Sequence, residues 1–148
     1  MPALVDNKKA HFNYEILDKF DAGIELLGFE VKSVKNHRGS LEGAFVIIRG
    51  GEAYLIGANI PPYQAQNTPP DYDPVRNRRL LLTKKEIAEL AEKGGNKALT
   101  IVPLSMYNKG VKIKVSIATV RGKKKYDKRE TIKKKEVGRE LRREMKGR

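Results

Sequence analysis

Residues 99–117, LTIVPLSMYNKGVKIKVSI, contain the clearest strand pattern in the chain. In the second half every odd position is apolar, namely Val111, Ile113, Val115 and Ile117. Lys112 and Lys114 alternate with them, which predicts a strand with one buried face and one basic, wet face. In the first half the apolar positions shift from 99 and 101 to 102, 104 and 106, which predicts a bulge near Val102-Pro103. Residues 108–110, NKG, join the halves, so the stretch predicts a β-hairpin.

Two other stretches predict further strands. Residues 45–48 and 53–56 are apolar runs on either side of GGE at 50–52, which predicts a second hairpin because glycine tolerates the positive φ of tight turns. Near the start, apolar residues alternate and predict a strand over residues 12–17, which breaks or bulges at Ala22-Gly23. Residues 1–11 are expected to be frayed at their beginning.

Two short helices are predicted between these strands. Leu27, Val31 and Val34 fit one helix face, and the charged residues among them are expected to face outward, namely Glu30, Lys32 and Lys35. The second helix covers residues 83–93, where Thr83 and Glu86 have the spacing of a capping box.

The pattern as a whole predicts a mainly β fold. Short strands, two hairpins and two short helices are typical of a small antiparallel sheet that is closed or nearly closed into a barrel. The expected organisation is one folded body, residues 1–120, followed by a basic tail, residues 121–148.

Charge points to a polyanionic partner. The chain of 148 residues has a formal net charge of +13 and a pI near 9.9. The last 28 residues hold 14 of the 31 Lys and Arg residues but 5 of the 18 Asp and Glu residues. A tail that only aids solubility is the alternative, but Tyr126 in its middle favours RNA contact, because an aromatic ring can stack on a base.

Other classes of function have little support in the sequence. There is no cysteine, and neither His11 nor His37 lies in a recognisable metal or catalytic motif. We therefore expect no enzymatic activity, metal or cofactor. No apolar run resembles a signal peptide or a membrane span, so a soluble cytoplasmic protein is expected.

The long connection over residues 59–79 contains five prolines and ends in Arg76-Asn77-Arg78-Arg79. Connections of this length in compact domains are usually functional or disordered. Two interpretations of the arginines stay open: a solvated loop edge beside a core strand, or a rim that binds phosphate.

A helical projection of the tail gives a thin apolar stripe. Val137, Leu141 and Met145 recur at spacings of four, with basic residues on the opposite side. So few apolar residues, with Gly138 among them, do not hold a helix in water. We therefore expect a tail that is disordered alone and becomes ordered on a partner, with RNA favoured over a membrane surface.

Several segments together are highly specific for a known family. They are residues 7–34 (NKKAHFNYEILDKFDAGIELLGFEVKSV), 50–60 (GGEAYLIGANI), 73–87 (DPVRNRRLLLTKKEI), 99–107 (LTIVPLSMY) and 121–136 (RGKKKYDKRETIKKKE). Over nearly its whole length the chain resembles the small protein B (SmpB) family, the SsrA-binding proteins of bacterial ribosome rescue. The resemblance implies an OB-fold-like, closed Greek-key barrel with flanking helices.

The resemblance also implies a function and its partners. Members bind the tRNA-like domain of tmRNA and, in a complex with elongation factor Tu, deliver it to stalled ribosomes for trans-translation. The body replaces the missing anticodon arm, and the tail enters the empty mRNA channel as a helix. A monomer is expected.

Site residues are implied by position. In the body, the acidic residue of the family's E-A-G motif falls on Asp21, the RNA-contacting leucine falls on Leu81, and Thr83 occupies a variable contact position. The loop arginines Arg76, Arg78 and Arg79 remain candidates for phosphate contact. The ribosome-directed positions are Arg121, Gly122, Lys123, Lys124, Tyr126, Asp127, Lys128 and Arg129, followed by Ile132 and Val137.

A second hypothesis belongs to another class. A structural or assembly protein of the ribosome could thread a basic tail of this kind into rRNA. The RNA that copurifies with the chain distinguishes the two, because only the first hypothesis predicts one small tRNA-like RNA on the free protein.

Overall fold

The computed structural model describes residues 3–64, 66, 68–94 and 99–122. Within these ranges the elements in chain order are β1 (Ala3–Asp6), α1 (Lys8–Asn13), β2 (Tyr14–Ile24), α2 (Gly28–Lys35), β3 (Phe45–Arg49), β4 (Glu52–Ile56), β5 (Arg78–Leu81), α3 (Lys84–Gly94), β6 (Thr100–Lys109) and β7 (Lys112–Gly122). The strands form one antiparallel sheet in the order β1-β6-β7-β2-β5-β4-β3. The mainly β prediction is therefore confirmed.

The hairpin of β6 and β7 forms the middle of this sheet together with β2. Its predicted bulge is present: the pairing register shifts between Pro103 and Ser105, one residue beyond the expected place. Val115 and Ile117 are fully buried, as the alternation predicts. Val111, however, is 86% exposed, because it lies in the turn before β7 begins. Its predicted inward placement is wrong.

Residues 3–13 form regular secondary structure that the sequence does not predict, and Met1 and Pro2, where the frayed beginning was expected, lie outside the described residues. Residues 3–6 pair with β6 as β1, and Asn7 begins α1 by accepting a hydrogen bond from the N–H of Ala10 through its side-chain oxygen. The amide of the same buried side chain donates to the carbonyls of Leu41 and Pro103, at 3.2 and 2.8 Å. The predicted strand start at Phe12 is wrong because this cap makes residues 8–13 helical.

Strand β2 passes through Ala22-Gly23 without the predicted break, and its irregularity lies earlier. Its register with β7 shifts between Ile16 and Asp18, which leaves Leu17 as the extra residue. The N–H of Asp18 donates to the hydroxyl of Thr119 at this point. The strand remains paired as far as Ile24, so residues 21–23 lie in a regular part of the sheet.

The sheet is not closed. β3 and β4 form the second predicted hairpin, whose turn glycines, Gly50 and Gly51, have φ of 60° and 74°. β3 and β1 are the two edge strands, and no ladder among the described residues joins them. A cleft of about 470 Å³ separates β3 from the start of β6, next to Ala91 of α3. The closed barrel expected from the sequence is therefore not confirmed.

The main core joins residues of the sheet to residues of α2 and α3. Its fully buried members include Ala22, Leu55, Leu90 and Ile117, which come from four different elements. A smaller cluster under α1 joins Ala10 to Val102 and Val120. None of the helices in the described ranges combines the length and apolar character that crossing a bilayer requires.

Candidate RNA interface

Two clefts lie on either side of Leu81, the last residue of β5. The larger has a volume of about 570 Å³, and its lining includes Asp21, Arg79, Leu81, Thr83, Lys84 and Lys114. The smaller has a volume of about 320 Å³ and a more apolar lining that includes Gly23, Ile24, Leu81, Val111 and Ile113. Leu81 lines both clefts and is 48% exposed, whereas its neighbour in the strand, Leu80, is buried.

Gly23 lets β5 approach β2 at this place. Gly23 lies opposite Leu81 in the ladder, and a Cβ atom added to it would lie 3.1 Å from the Cβ of Leu81. A contact this short is tighter than nearly all Cβ contacts in proteins, so Leu81 would have to move by a few tenths of an ångström. Ala22 is fully buried, whereas Asp21 is exposed. The Asp21-Ala22-Gly23 sequence thus anchors the strand, exposes a carboxylate and leaves room for Leu81 beside it.

Three basic side chains, Arg79, Lys84 and Lys114, share the cleft with this carboxylate, and Glu52 and Glu86 line it as well. Arg79 forms ion pairs with Glu25 at 3.2 Å and with Glu52 at 2.9 Å, and its side chain remains 43% exposed. Because exposed ion pairs contribute little free energy, Arg79 can exchange these partners for a phosphate at small cost.

Thr83 has a structural task in addition to its position in the cleft. Its hydroxyl accepts a hydrogen bond from the N–H of Glu86 at 3.2 Å, and the carboxylate of Glu86 accepts from the N–H of Thr83 at 3.0 Å. The predicted capping box is confirmed. Among the body residues predicted for the site, the larger cleft therefore brings together Asp21, Arg79, Leu81 and Thr83.

Arg78 is not available to RNA. Its side chain is fully buried, and its Nε and Nη2 atoms donate to one carboxylate oxygen of Glu30 at 2.9 and 2.6 Å. Its other hydrogen bonds go to the carbonyls of Ala58, Pro74 and Arg76 and to the hydroxyl of Tyr72. For Arg78 both interpretations of the arginine run are wrong, since it is neither a solvated edge nor a phosphate rim.

Glu30 is the centre of this buried network. It is fully buried in α2, and besides Arg78 it accepts hydrogen bonds from Arg76, from the hydroxyl of Tyr72 and from the N–H of Leu27. Arg76 keeps 31% of its side-chain surface exposed but directs its guanidinium at Glu30. The network joins α2 to the long connection between β4 and β5, and it holds the beginning of β5.

The outward orientation predicted for Glu30 is therefore wrong. Leu27, Glu30, Val31 and Val34 together fit the i, i+3, i+4, i+7 pattern of one helix face, so the periodicity does place position 30 on the inner side. The prediction placed Glu30 outward because its side chain is charged, although its position in the pattern is on the inner face. The partner, Arg78, lies 48 residues away at the start of β5, after a proline-containing loop, and no local pattern connects the two.

Glu30 should make stability depend on acid pH. Burial alone would raise the pKa of Glu30, but hydrogen bonds from Arg76, Leu27, Tyr72 and Arg78 lower it from the ordinary 4.5 to about 2. A carboxyl group with a lowered pKa in the folded state stabilises the fold above its unfolded pKa, and this contribution is lost as pH falls. We expect about 3 kcal/mol to disappear between pH 4.5 and pH 2.

The measurement for this prediction is urea unfolding of the wild type and of Glu30→Gln across that pH range. The difference in unfolding free energy between the two should narrow as pH falls below 4.5, since only the wild type loses the Glu30 charge. A difference that stays constant down to pH 2 would show that Glu30 is not ionised in this network.

The predicted ribosome-directed residues begin at the end of β7. Arg121 and Gly122 still belong to the strand, where Gly122 lies opposite Tyr14 and Arg121 forms an ion pair with Glu15 at 2.6 Å. The others lie outside the described residues, namely Lys123, Lys124, Tyr126, Asp127, Lys128, Arg129, Ile132 and Val137. Over the part of the chain that is described, no group of three His, Cys, Asp or Glu residues could hold a metal ion.

Comparison with known proteins decides the family. The family model described as SmpB protein matches residues 4–147, nearly the entire chain. The chain belongs to the SmpB family. The resemblance inferred from the motifs is thereby confirmed.

Relatives of this SmpB chain match it from end to end. An SsrA-binding protein of Mesoplasma florum is 51% identical over 140 residues, which cover 95% of this chain and 94% of that protein. The SsrA-binding protein of Gloeothece citriformis is 48% identical over 143 residues, with 97% and 92% covered.

A solved chain described in the words "tmRNA-SmpB: a journey to the center of the bacterial ribosome" is 40% identical, with a TM-score of 0.69. It covers 81% of this chain, and 84% of that chain is matched. An identity and a TM-score this high show that the two chains share the SmpB fold, an antiparallel sheet with short helices.

Proposed function

We propose that this SmpB chain binds the tRNA-like domain of tmRNA and delivers it to stalled ribosomes for trans-translation. The observation that carries the proposal is the meeting of Asp21 and Leu81 at one cleft. The two residues come from separate motifs of the sequence, yet both line the 570 Å³ cleft beside Lys84 and Lys114. Relatives named SsrA-binding protein and the solved tmRNA-SmpB chain support this choice of RNA.

The chemistry of the cleft suits a folded or looped RNA. Lys84, Lys114 and Arg79 supply attraction for phosphates, which positions a strand without selecting a sequence. The Asp21 carboxylate repels phosphate, so it accepts only from donors such as a 2′-hydroxyl or a base N–H. The exposed Leu81 side chain offers an apolar surface to an unstacked base or a ribose. The site selects by shape and donor pattern rather than by charge alone.

The tail is proposed to serve the ribosome. Residues 123–148 hold 13 of the 31 Lys and Arg residues of the chain, enough for salt-sensitive attachment to rRNA. Tyr126 is proposed to stack on a base of the decoding centre. Arg121 and Gly122, Lys123 and Lys124, and the Asp127-Lys128-Arg129 segment are proposed contacts around it, and Ile132 and Val137 are proposed to pack in the mRNA channel. Arg76 is at most a secondary phosphate contact.

The remaining features follow from this role. The chain is proposed to act without catalysis or cofactor, as a cytoplasmic monomer that shares its RNA with elongation factor Tu. Its body is proposed to be an OB-fold-like unit with an open seam at β3. The boundary between the body that binds tmRNA and the tail that contacts the ribosome is proposed to lie close to residue 121, near the end of β7.

Asp21→Arg tests the body site. General electrostatics predicts tighter RNA binding, because the change adds positive charge beside a polyanion. Loss of a specific acceptor predicts the opposite, and we expect binding to the tRNA-like domain to weaken by about tenfold to a hundredfold. The measurement is filter binding with the isolated tRNA-like RNA, together with thermal unfolding to show that the body remains folded.

Asp71→Arg is the matched control for this experiment. Asp71 is exposed in the connection between β4 and β5 and lines neither cleft beside Leu81. The control changes net charge by the same amount and should bind as well as the wild type or slightly better. Equal or tighter binding by Asp21→Arg would remove Asp21 from the site.

A further inference from the structure

Tyr107 contacts the Asp21 carboxylate across an intervening strand. Tyr107 belongs to β6 and Asp21 to β2, and β7 lies between them. The phenol hydroxyl donates to Oδ1 of Asp21 at 2.8 Å. Tyr107 lies opposite Lys114 in the ladder, whereas Asp21 lies opposite Ser116, so the phenol reaches diagonally over β7. The hydrogen bond from Tyr107 ends on an exposed carboxylate, so it contributes little to packing of the hydrophobic core.

The contact fixes one oxygen of Asp21 and leaves the other available. Within the described residues, the Tyr107 hydroxyl is the one hydrogen-bond donor to this carboxylate. Oδ2 is therefore left to accept from a ligand in the cleft that Asp21 lines with Lys114. Without Tyr107 the exposed carboxylate would be free to rotate, and RNA binding would then have to pay the entropy of fixing it.

The phenol is a dependable donor in this position. Burial and its hydrogen bond to Asp21 raise the pKa of Tyr107 to about 12. The hydroxyl therefore keeps its proton throughout the physiological range. It can act on Asp21 as a donor under all conditions in which RNA is bound.

We infer that Tyr107 is a positioning residue for RNA recognition, which orients the Asp21 carboxylate so that Oδ2 accepts a donor of the bound RNA. The inference rests on the proposed function, because it requires that Asp21 contacts RNA. Tyr107 acts through Asp21, and its own hydroxyl is already committed to that carboxylate. Asp21 of β2 and Tyr107 of β6 thus form one recognition unit.

A double-mutant cycle with the tRNA-like RNA separates positioning from other roles. The four proteins are the full-length wild type, Tyr107→Phe, Asp21→Ala and the double variant. Tyr107→Phe keeps the ring and should weaken binding by about tenfold, the range for a hydrogen bond to a charged group. In the Asp21→Ala background the same change should have no effect, because the carboxylate that it orients is gone.

Tyr54→Phe is the matched control. The hydroxyl of Tyr54 donates to Glu52 at 2.7 Å, so the Tyr54→Phe variant also loses a phenol–carboxylate hydrogen bond. Glu52 keeps its ion pair with Arg79 in this variant. This control should bind RNA within about twofold of the wild type, as expected for a part-exposed hydrogen bond outside the recognition unit.

Each outcome is decisive. Full affinity of Tyr107→Phe would overturn the inference while leaving the proposed function intact. Equal losses in both backgrounds would overturn it too, because Tyr107 would then act independently of Asp21. A melting temperature that falls in proportion to the lost affinity would indicate a structural role only. Failure of the wild type to bind the RNA would instead contradict the proposed function itself.

Discussion

A chain that ends at Gly122 is expected to bind the tRNA-like domain nearly as well as the full protein and to lose tagging on stalled ribosomes. The cut keeps β7 complete: Val120 is fully buried, and Arg121 keeps its ion pair with Glu15. It removes 26 residues with a net charge of +8. We expect tagging to fall by more than about a hundredfold, since the lost segment supplies +8 of the chain's net charge of +13 for attraction to rRNA.

The measurement pairs two assays on the same protein. RNA binding is measured by filter binding over a range of salt, and tagging is measured in a translation reaction stalled on an mRNA without a stop codon. A full-length chain with the order of residues 123–148 scrambled is the control, because it retains the charge and loses the sequence. Loss of RNA binding by the shortened chain, or efficient tagging by it, would contradict the division between body and tail.

The second large effect is expected in the buried network. Glu30→Gln should lower the free energy of unfolding by about 3 to 5 kcal/mol, the usual range when one partner of a buried ion pair is removed. The reason is that Arg78 stays charged and fully buried, with its carbonyl partners but without a counter-charge. For a body of this size the melting temperature should fall by about 10 to 20 °C.

Glu25→Gln is the matched control for this change. Glu25 lies in the segment between β2 and α2 and pairs with Arg79, but more than half of its side chain is exposed, so its loss should cost less than about 1 kcal/mol. Chemical unfolding of both variants at neutral pH gives the comparison. If the two variants had similar free energies of unfolding, the buried Glu30–Arg78 pair would stabilise the fold no more than the exposed Glu25–Arg79 pair does.

The alternation and turn signals of the sequence were enough for most of the sheet. Both hairpins, the bulge near Pro103 and the Thr83 capping box rest on contacts between residues close in sequence, and such contacts leave a local pattern. The site motif also left a pattern, because Asp21-Ala22-Gly23 and the leucine run were recognisable as family segments. The sequence did not predict why position 23 is a glycine. The reason is the close approach of Leu81, which lies in a strand almost sixty residues later.

Features that depend on distant pairs could not be predicted in this way. The side chains of Glu30 and Arg78 are both charged, so each alone suggests a solvated surface, and only their mutual contact makes burial favourable. The contact between Tyr107 and Asp21 could not be predicted either, because these residues are 86 positions apart and meet only because β6 and β2 pair with opposite edges of β7. Closure of the sheet likewise depends on whether β3 reaches β6 along its length, and no residue pattern encodes that distance.

The most direct test of the central claim is the identity of the RNA that copurifies with the full-length protein from its own cells. We predict one small RNA with a tRNA-like domain, bound to the free protein and depleted from Asp21→Arg but retained by Asp71→Arg. Ribosomal RNA alone, held to the same extent by both variants, would contradict it and would favour a structural protein of the ribosome.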